Sequence, residues 1–119
     1  MPDTLFSRLG GTEGVTRIAS DLVDNHLVHP LIAPRFAGAD VPRMKQMAAD
    51  FFSLGSGGPP VYTGKDMLSV HKGMNISDNE FMAAIDDLMA ALTASGIGDR
   101  EKAEVLFIFY QLRPEVVRV

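Results

Sequence analysis

Apolar residues recur along this chain at intervals of three and four, the spacing that gives a helix one buried face. Val15, Ile18, Leu22, Val23 and Leu27 form the first such stripe. Thr12 stands before it as a cap, Glu13 falls in its first turn, and Gly10-Gly11 permit a sharp change of direction ahead of both. The stripe ends before Pro30, because the residue ahead of a proline is pushed out of the helical region. Pro30 to Phe36 reads as a short connector of 3₁₀ type, anchored by Leu31, Ile32 and Phe36. A second stripe, Val41, Met44, Ala48, Phe51 and Phe52, follows Asp40 as cap, with Pro42 tolerated in the first turn and Met47 beside the stripe. Gly55-Ser56-Gly57-Gly58-Pro59-Pro60 terminates it. Ser77-Asp78-Asn79-Glu80 is a capping box that opens a third stripe of Phe81, Ile85, Leu88, Met89 and Leu92, ending near Gly96. The last helix starts at Gly98-Asp99, and its stretch from Val105 to Tyr110 is apolar on every side, which predicts central burial. No segment alternates like a strand. The pattern predicts an all-α fold of roughly five helices with one long glycine-rich connection.

Composition narrows the chemistry. A length of 119 residues fits one domain, 1–119, that can bury a core without disulfides or structural metal. The absence of cysteine excludes disulfides, zinc–thiolate and iron–sulfur centres and thiol catalysis. Net charge is −4 and the Lys and Arg residues are scattered, which argues against nucleic acid and against an anionic membrane surface. No apolar run is long enough to span a bilayer, and Met1-Pro2-Asp3-Thr4-Leu5-Phe6 lacks the layout of a signal peptide, so a cytoplasmic location is expected. The glycines of 55–58 lack the lysine and Ser/Thr of a phosphate loop. Asp86-Asp87 are adjacent on a helix and point about 100° apart, so they read as a solvated face rather than a hydrolytic pair. His26 and His29 lie one turn apart, but no carboxylate nearby completes a metal site, and they read as a solvated helix end.

His71 is different. It closes a short apolar turn, flanked by Met67, Leu68, Val70 and Met74, and so presents an imidazole to apolar surroundings. Imidazole is the commonest protein ligand for metals, although a lone histidine in such a place also serves as a hydrogen-bonded core residue. A flat apolar cofactor needs an axial ligand, apolar contacts to its faces, a helix over the opposite side and a polar group at its edge. His71 supplies the first, and Phe36, Phe52, Met67, Ile76 and Phe81 the second. Met44 and Ala48 lie on a covering helix, while Arg43, Tyr62 or Lys65 serve the edge. The same Met and Phe residues also read as plain core.

The order of motifs decides between the two. Leu5-Phe6 with Leu9-Gly10-Gly11, Phe36 before Gly38, Phe51-Phe52 running to Gly57-Gly58-Pro59, Tyr62-Thr63-Gly64, and Met67 leading to Val70-His71 succeed one another in this chain. Gly73 to Phe81 and Leu88 to Gly96 continue the series. This order resembles the group I truncated haemoglobins, short globins with a two-over-two helical sandwich, over residues 4 to 117 or so. The resemblance implies haem b, with His71 as proximal iron ligand and Phe36 wedged against the haem. It also implies that Phe52 gates an apolar tunnel, that Met44 and Ala48 face bound ligand, and that Val23 replaces a distal tyrosine.

The distal positions Val23, Met44 and Ala48 carry no hydrogen-bond donor. The expectation is a protein that binds O₂, CO or NO in an unusually apolar pocket, unless Tyr110 or a water reaches in. Three alternatives differ in class. Met44 or Met47 closing the sixth position would give an internally six-coordinate electron-transfer or sensor protein. NO dioxygenation would need a separate reductase, because the chain carries no flavin or nicotinamide fingerprint. A haem-free helical interaction module would keep only the scaffold. A monomer or weak homodimer suits each of them.

Overall fold

The computed structural model describes residues 4–119, so the reading of Met1 to Asp3 lies outside it. The described residues form α1 (Leu5–Arg8), α2 (Gly11–Val28), a 3₁₀ turn (Ala33–Phe36), α3 (Val41–Gly55), α4 (Met67–His71), α5 (Asp78–Ala94), α6 (Asp99–Tyr110) and α7 (Arg113–Val116). The fold is all-α, as the periodicity predicts, and its only β feature among these residues is one parallel bridge between Ile76 and Val117. Helix α2 packs on α3 and on α5, and α5 packs on α6. Phe109 of α6 closes the second layer against the first, with ring centroids 4.8 Å from Phe52 and 6.1 Å from Phe51 of α3. These contacts give the two-over-two arrangement.

The caps act largely where the sequence puts them. Asp40 accepts from the Arg43 amide, Asp66 from Ser69, and Ser77 and Glu80 form the reciprocal capping box. Helix α2 differs. It begins at Gly11, with Gly10 as its cap at φ +101° and no side-chain hydrogen bond, so Thr12 lies inside the first turn. The glycine backbone makes the turn, and a threonine cap is not needed. Gly14 in that turn has no room for a side chain, since a Cβ would land on the Leu9 carbonyl oxygen.

Ile18 and Ala19 of α2 and Ala91 and Leu92 of α5 are wholly inaccessible, and Val15, Leu88 and Val105 nearly so. Each large side chain among them contributes about 1.5–3 kcal/mol by leaving water. Helix α6 departs from its expected central burial. Val105 is in the core, but Phe107 is 64% exposed and Tyr110 47% exposed. Ala103, Phe107 and Tyr110 share one exposed face of α6, so an all-round apolar sequence leaves that side in solvent.

Two sets of hydrogen bonds fix the surroundings of Phe36 and His71. Arg35, next to Phe36 in the 3₁₀ turn, pairs with the Glu80 carboxylate and donates to the Met74 carbonyl at 3.1 Å. The turn is thereby tied to the start of α5. Behind α4, the Gly73 and Asn75 amides both donate to the Val119 carbonyl at 3.1 Å, and Arg118 donates to Ile76. Helix α4 itself packs against α7.

The Arg35 guanidinium, with the Ser77 amide second, holds the Glu80 carboxyl down from 4.5 to about 2. A carboxyl depressed by folding adds stability above its unfolded value and loses it as pH falls toward its folded one. Glu80→Gln should therefore lower the melting temperature at neutral pH, with the gap to wild type shrinking from about pH 4.5 down to about pH 2. Thermal melts across that range check it; a gap independent of pH would show that the charge is not what stabilises the box.

Candidate functional site

Helices α2, α3 and α4 part around a cavity of about 450 Å³. An adjoining lobe of about 160 Å³ reaches toward α5, α6 and α7. Leu22, His26, Phe51, Met67 and His71 border both. A separate depression of about 240 Å³, floored by Phe6, Val15 and Ala49, shares no lining residue with either and contains no histidine.

His71 is the last residue of α4, and its Nδ1 lies 2.8 Å from the Met67 carbonyl oxygen. A carbonyl only accepts, so Nδ1 must carry the proton. The Nε2 lone pair is left free to ligate a metal. Among the described residues no group of three or more His, Cys, Asp or Glu is placed to hold a bare ion. A single oriented imidazole beside an apolar cavity suits a metal whose other ligands arrive with a planar cofactor. The residues present thus fit haem.

Val23, Phe36, Arg43, Met44, Ala48, Tyr62, Met67 and His71 all border the larger cavity, and Phe81 joins Met67 and His71 at the smaller lobe. The structure does not bring Phe52 or Ile76 to either. Phe52 turns into the core, 3% exposed, against Phe109. Ile76 is buried at its bridge with Val117. The Lys65 carbonyl accepts the Tyr62 hydroxyl at 2.6 Å, and the Lys65 side chain does not line the cavity. Tyr110 packs edge-on against Phe81, at 5.9 Å between centroids, and does not reach the cavity.

Leu22, His26, Asp40, Phe51 and Val70 also line the cavity and are not among the expected pocket residues, and Met47, expected only as an alternative sixth ligand, lines it too. His26 is the chief correction. It is not part of a solvated helix end: its Nδ1 lies 2.7 Å from Asp87 Oδ2, and its ring stacks on Phe36 at 5.7 Å with planes 5° apart. The carboxylate that its own helix lacks comes from α5, and Asp87, read as part of a solvated face, is 8% exposed. The signal was present, since His26 falls four positions after Leu22 and three after Val23, on the same apolar stripe. Burial lowers the proton affinity of His26 from its ordinary 6.5, while the Asp87 hydrogen bond and charge oppose that shift in part.

Because the pair is mostly buried, removing either partner leaves the other desolvated and unsatisfied. A double-mutant cycle with His26→Ala and Asp87→Ala, read by chemical denaturation, should give a coupling of about 1–3 kcal/mol. Additive single effects would mean that water replaces each partner.

A family model described as bacterial-like globin matches residues 4–117. The group 1 truncated haemoglobin GlbN of Mycolicibacterium paratuberculosis is 30% identical over 115 residues, covering 97% of this chain and 85% of its own. The group 1 truncated haemoglobin of Tetrahymena pyriformis is 31% identical over 108 residues, covering 88% of this chain and 89% of its own. The crystal structure of truncated haemoglobin from Tetrahymena pyriformis in its Fe(III) form superposes with a TM-score of 0.94 at 26% identity, over 98% of this chain and all of that one.

Proposed function

The chain belongs to the bacterial-like globin family, with group 1 truncated haemoglobins as relatives, and on that premise we propose that it holds haem b through His71 and binds a diatomic gas in a cavity whose distal positions Val23, Met44 and Ala48 carry no donor. The observation that carries the reading is the His71 Nδ1 bond to the Met67 carbonyl, which aims a ligating nitrogen out of a short helix at an apolar cavity. Bound haem would supply an iron with an open position for O₂, CO or NO.

The chain's own residues do the rest. Phe36, Met67 and Phe81 give apolar surface for the faces of a macrocycle. Arg43, at the same cavity, suits its carboxylates by a charge-assisted hydrogen bond, and Tyr62 would serve them only by giving up its bond to the Lys65 carbonyl. Val23, Met44 and Ala48 are apolar and donate nothing to a ligand. A hydrogen bond to a polarised gas ligand is worth about 1–3 kcal/mol. Its loss should make O₂ leave on the order of 10- to 100-fold faster than from a pocket with a donor, while CO is much less affected.

A second reading has one observation in its favour: Met44 and Met47 both line the cavity. A thioether from either would suit internal six-coordination and electron transfer. Any turnover, such as NO dioxygenation, depends on a separate reductase.

Visible spectra of the ferric, reduced and CO-bound protein test the assignment. A Soret band that shifts with CO, and is lost or altered in His71→Ala, supports it. No Soret band after haem addition leaves the helical interaction module. A Met–iron charge-transfer band in the ferric state transfers the reading to Met44 and Met47. Laser-flash kinetics then measure O₂ release, and a slow dissociation would refute the donor-free pocket.

A further inference from the structure

The haem reading leaves one buried polar pair without a task. The His26 and Asp87 side chains are only 15% and 11% exposed, and they meet at 2.7 Å. The carboxylate accepts, so Nδ1 of His26 carries the proton and Nε2 bears the lone pair. Asn25 donates to the Asp87 backbone carbonyl at 3.1 Å, and Phe36 stacks on the imidazole, so the pair is held from two sides. No hydrogen bond among the described residues reaches Nε2. The ring borders both lobes of the cavity.

We propose that the His26–Asp87 pair is a proton acceptor for small protic ligands that enter the cavity as neutral acids, such as hydrogen cyanide or hydrogen sulfide. The inference rests on the haem reading, which supplies a ferric cation to attract the anion. The neutral acid crosses apolar surroundings far more readily than its conjugate base, because an unpaired charge there is costly. Its bond to hydrogen breaks, the electron pair stays with the ligand, and the proton passes to Nε2. The imidazolium so formed is braced by Asp87. No oxidant or reductant is consumed.

The surroundings pull two ways. Burial disfavours the imidazolium, which leaves the ring neutral and open to a proton but weakens it as a base, while the hydrogen bond and charge of Asp87 oppose that penalty. Asp40, Arg43 and His71 are the other charged or titratable groups at the larger cavity, together with the Tyr62 phenol. Val23, Met44 and Ala48 offer no base. A neutral His26 accepts a proton without donating one to O₂, so the pocket distinguishes protic ligands from aprotic gases. Asp87 is a positioning residue, acting through the imidazole.

Stopped-flow mixing of the haem-loaded ferric protein with cyanide tests the proposal, with CO binding to the ferrous form as the aprotic control. His26→Gln puts a polar amide, which takes up no proton, in place of the imidazole, and should slow cyanide association on the order of 100-fold with CO unchanged. Asp87→Asn should give an intermediate loss for cyanide and none for CO. In the wild type, association should be slower in heavy water than in light water. Equal cyanide rates in wild type and both variants overturn the proposal. Parallel slowing of cyanide and CO overturns it too, since that reports access alone. A low-spin ferric wild type that becomes high-spin in His26→Gln would put His26 on the iron, and again the proposal fails. Failure of the haem reading is distinguishable, because the wild type would then lack a Soret band before any cyanide is added.

Discussion

The contact between α2 and α5 is the seam on which the rest of the molecule depends. Ile18 and Ala19 from one helix and Ala91 and Leu92 from the other are shut off completely from solvent. Small alanines beside large aliphatics let two helices approach closely and still fill the space between them. Farther along the same contact the apolar pairing gives way to His26 and Asp87. A buried ion-capable pair costs desolvation, and the cost is met only if both groups find each other with good geometry. The apolar seam enforces that geometry by fixing the register of α2 on α5. The cavity opens at this end of α2, so the seam sets both the shape of the candidate site and the meeting of His26 with Asp87.

Much of the fold was legible because the signals were local. Stripes at helical spacing, the Asp40 carboxylate, the Ser77–Glu80 box and the glycine stops each act within a few residues of chain. What the chain order hid was pairing at a distance. His26 lacks a carboxylate on its own helix, and the sixty-one positions to Asp87 give no hint that α5 delivers one. Tertiary context also decided α6, whose apolar sequence on every side leaves Ala103, Phe107 and Tyr110 on one exposed face. The tiny α7 went unread because four residues carry no periodicity.

The candidate site divides the same way. His71 was readable from its flanking residues, and the 3₁₀ turn that carries Phe36 from its proline and its apolar anchors. Phe52 shows the limit of helical spacing. Phe51 and Phe52 are adjacent on α3 and point in directions about 100° apart, and spacing alone does not say which enters the cavity. The structure gives Phe51 to the cavity and Phe52 to the core. Arg35 was not singled out from sequence either, yet its pairing with Glu80 joins the Phe36 turn to the cap of α5, and so holds one wall of the cavity against another.

Helix α4 is a single turn and a little more, too short to persist without support. Its support comes from the far end of the chain: α7 packs on it, and Val119 takes two amide bonds from the loop behind His71. The last residues thus brace the turn that carries His71 from behind. A substitution near residue 119 that cost those two amide bonds would free that turn, and the imidazole with it, to shift without touching a single wall of the cavity.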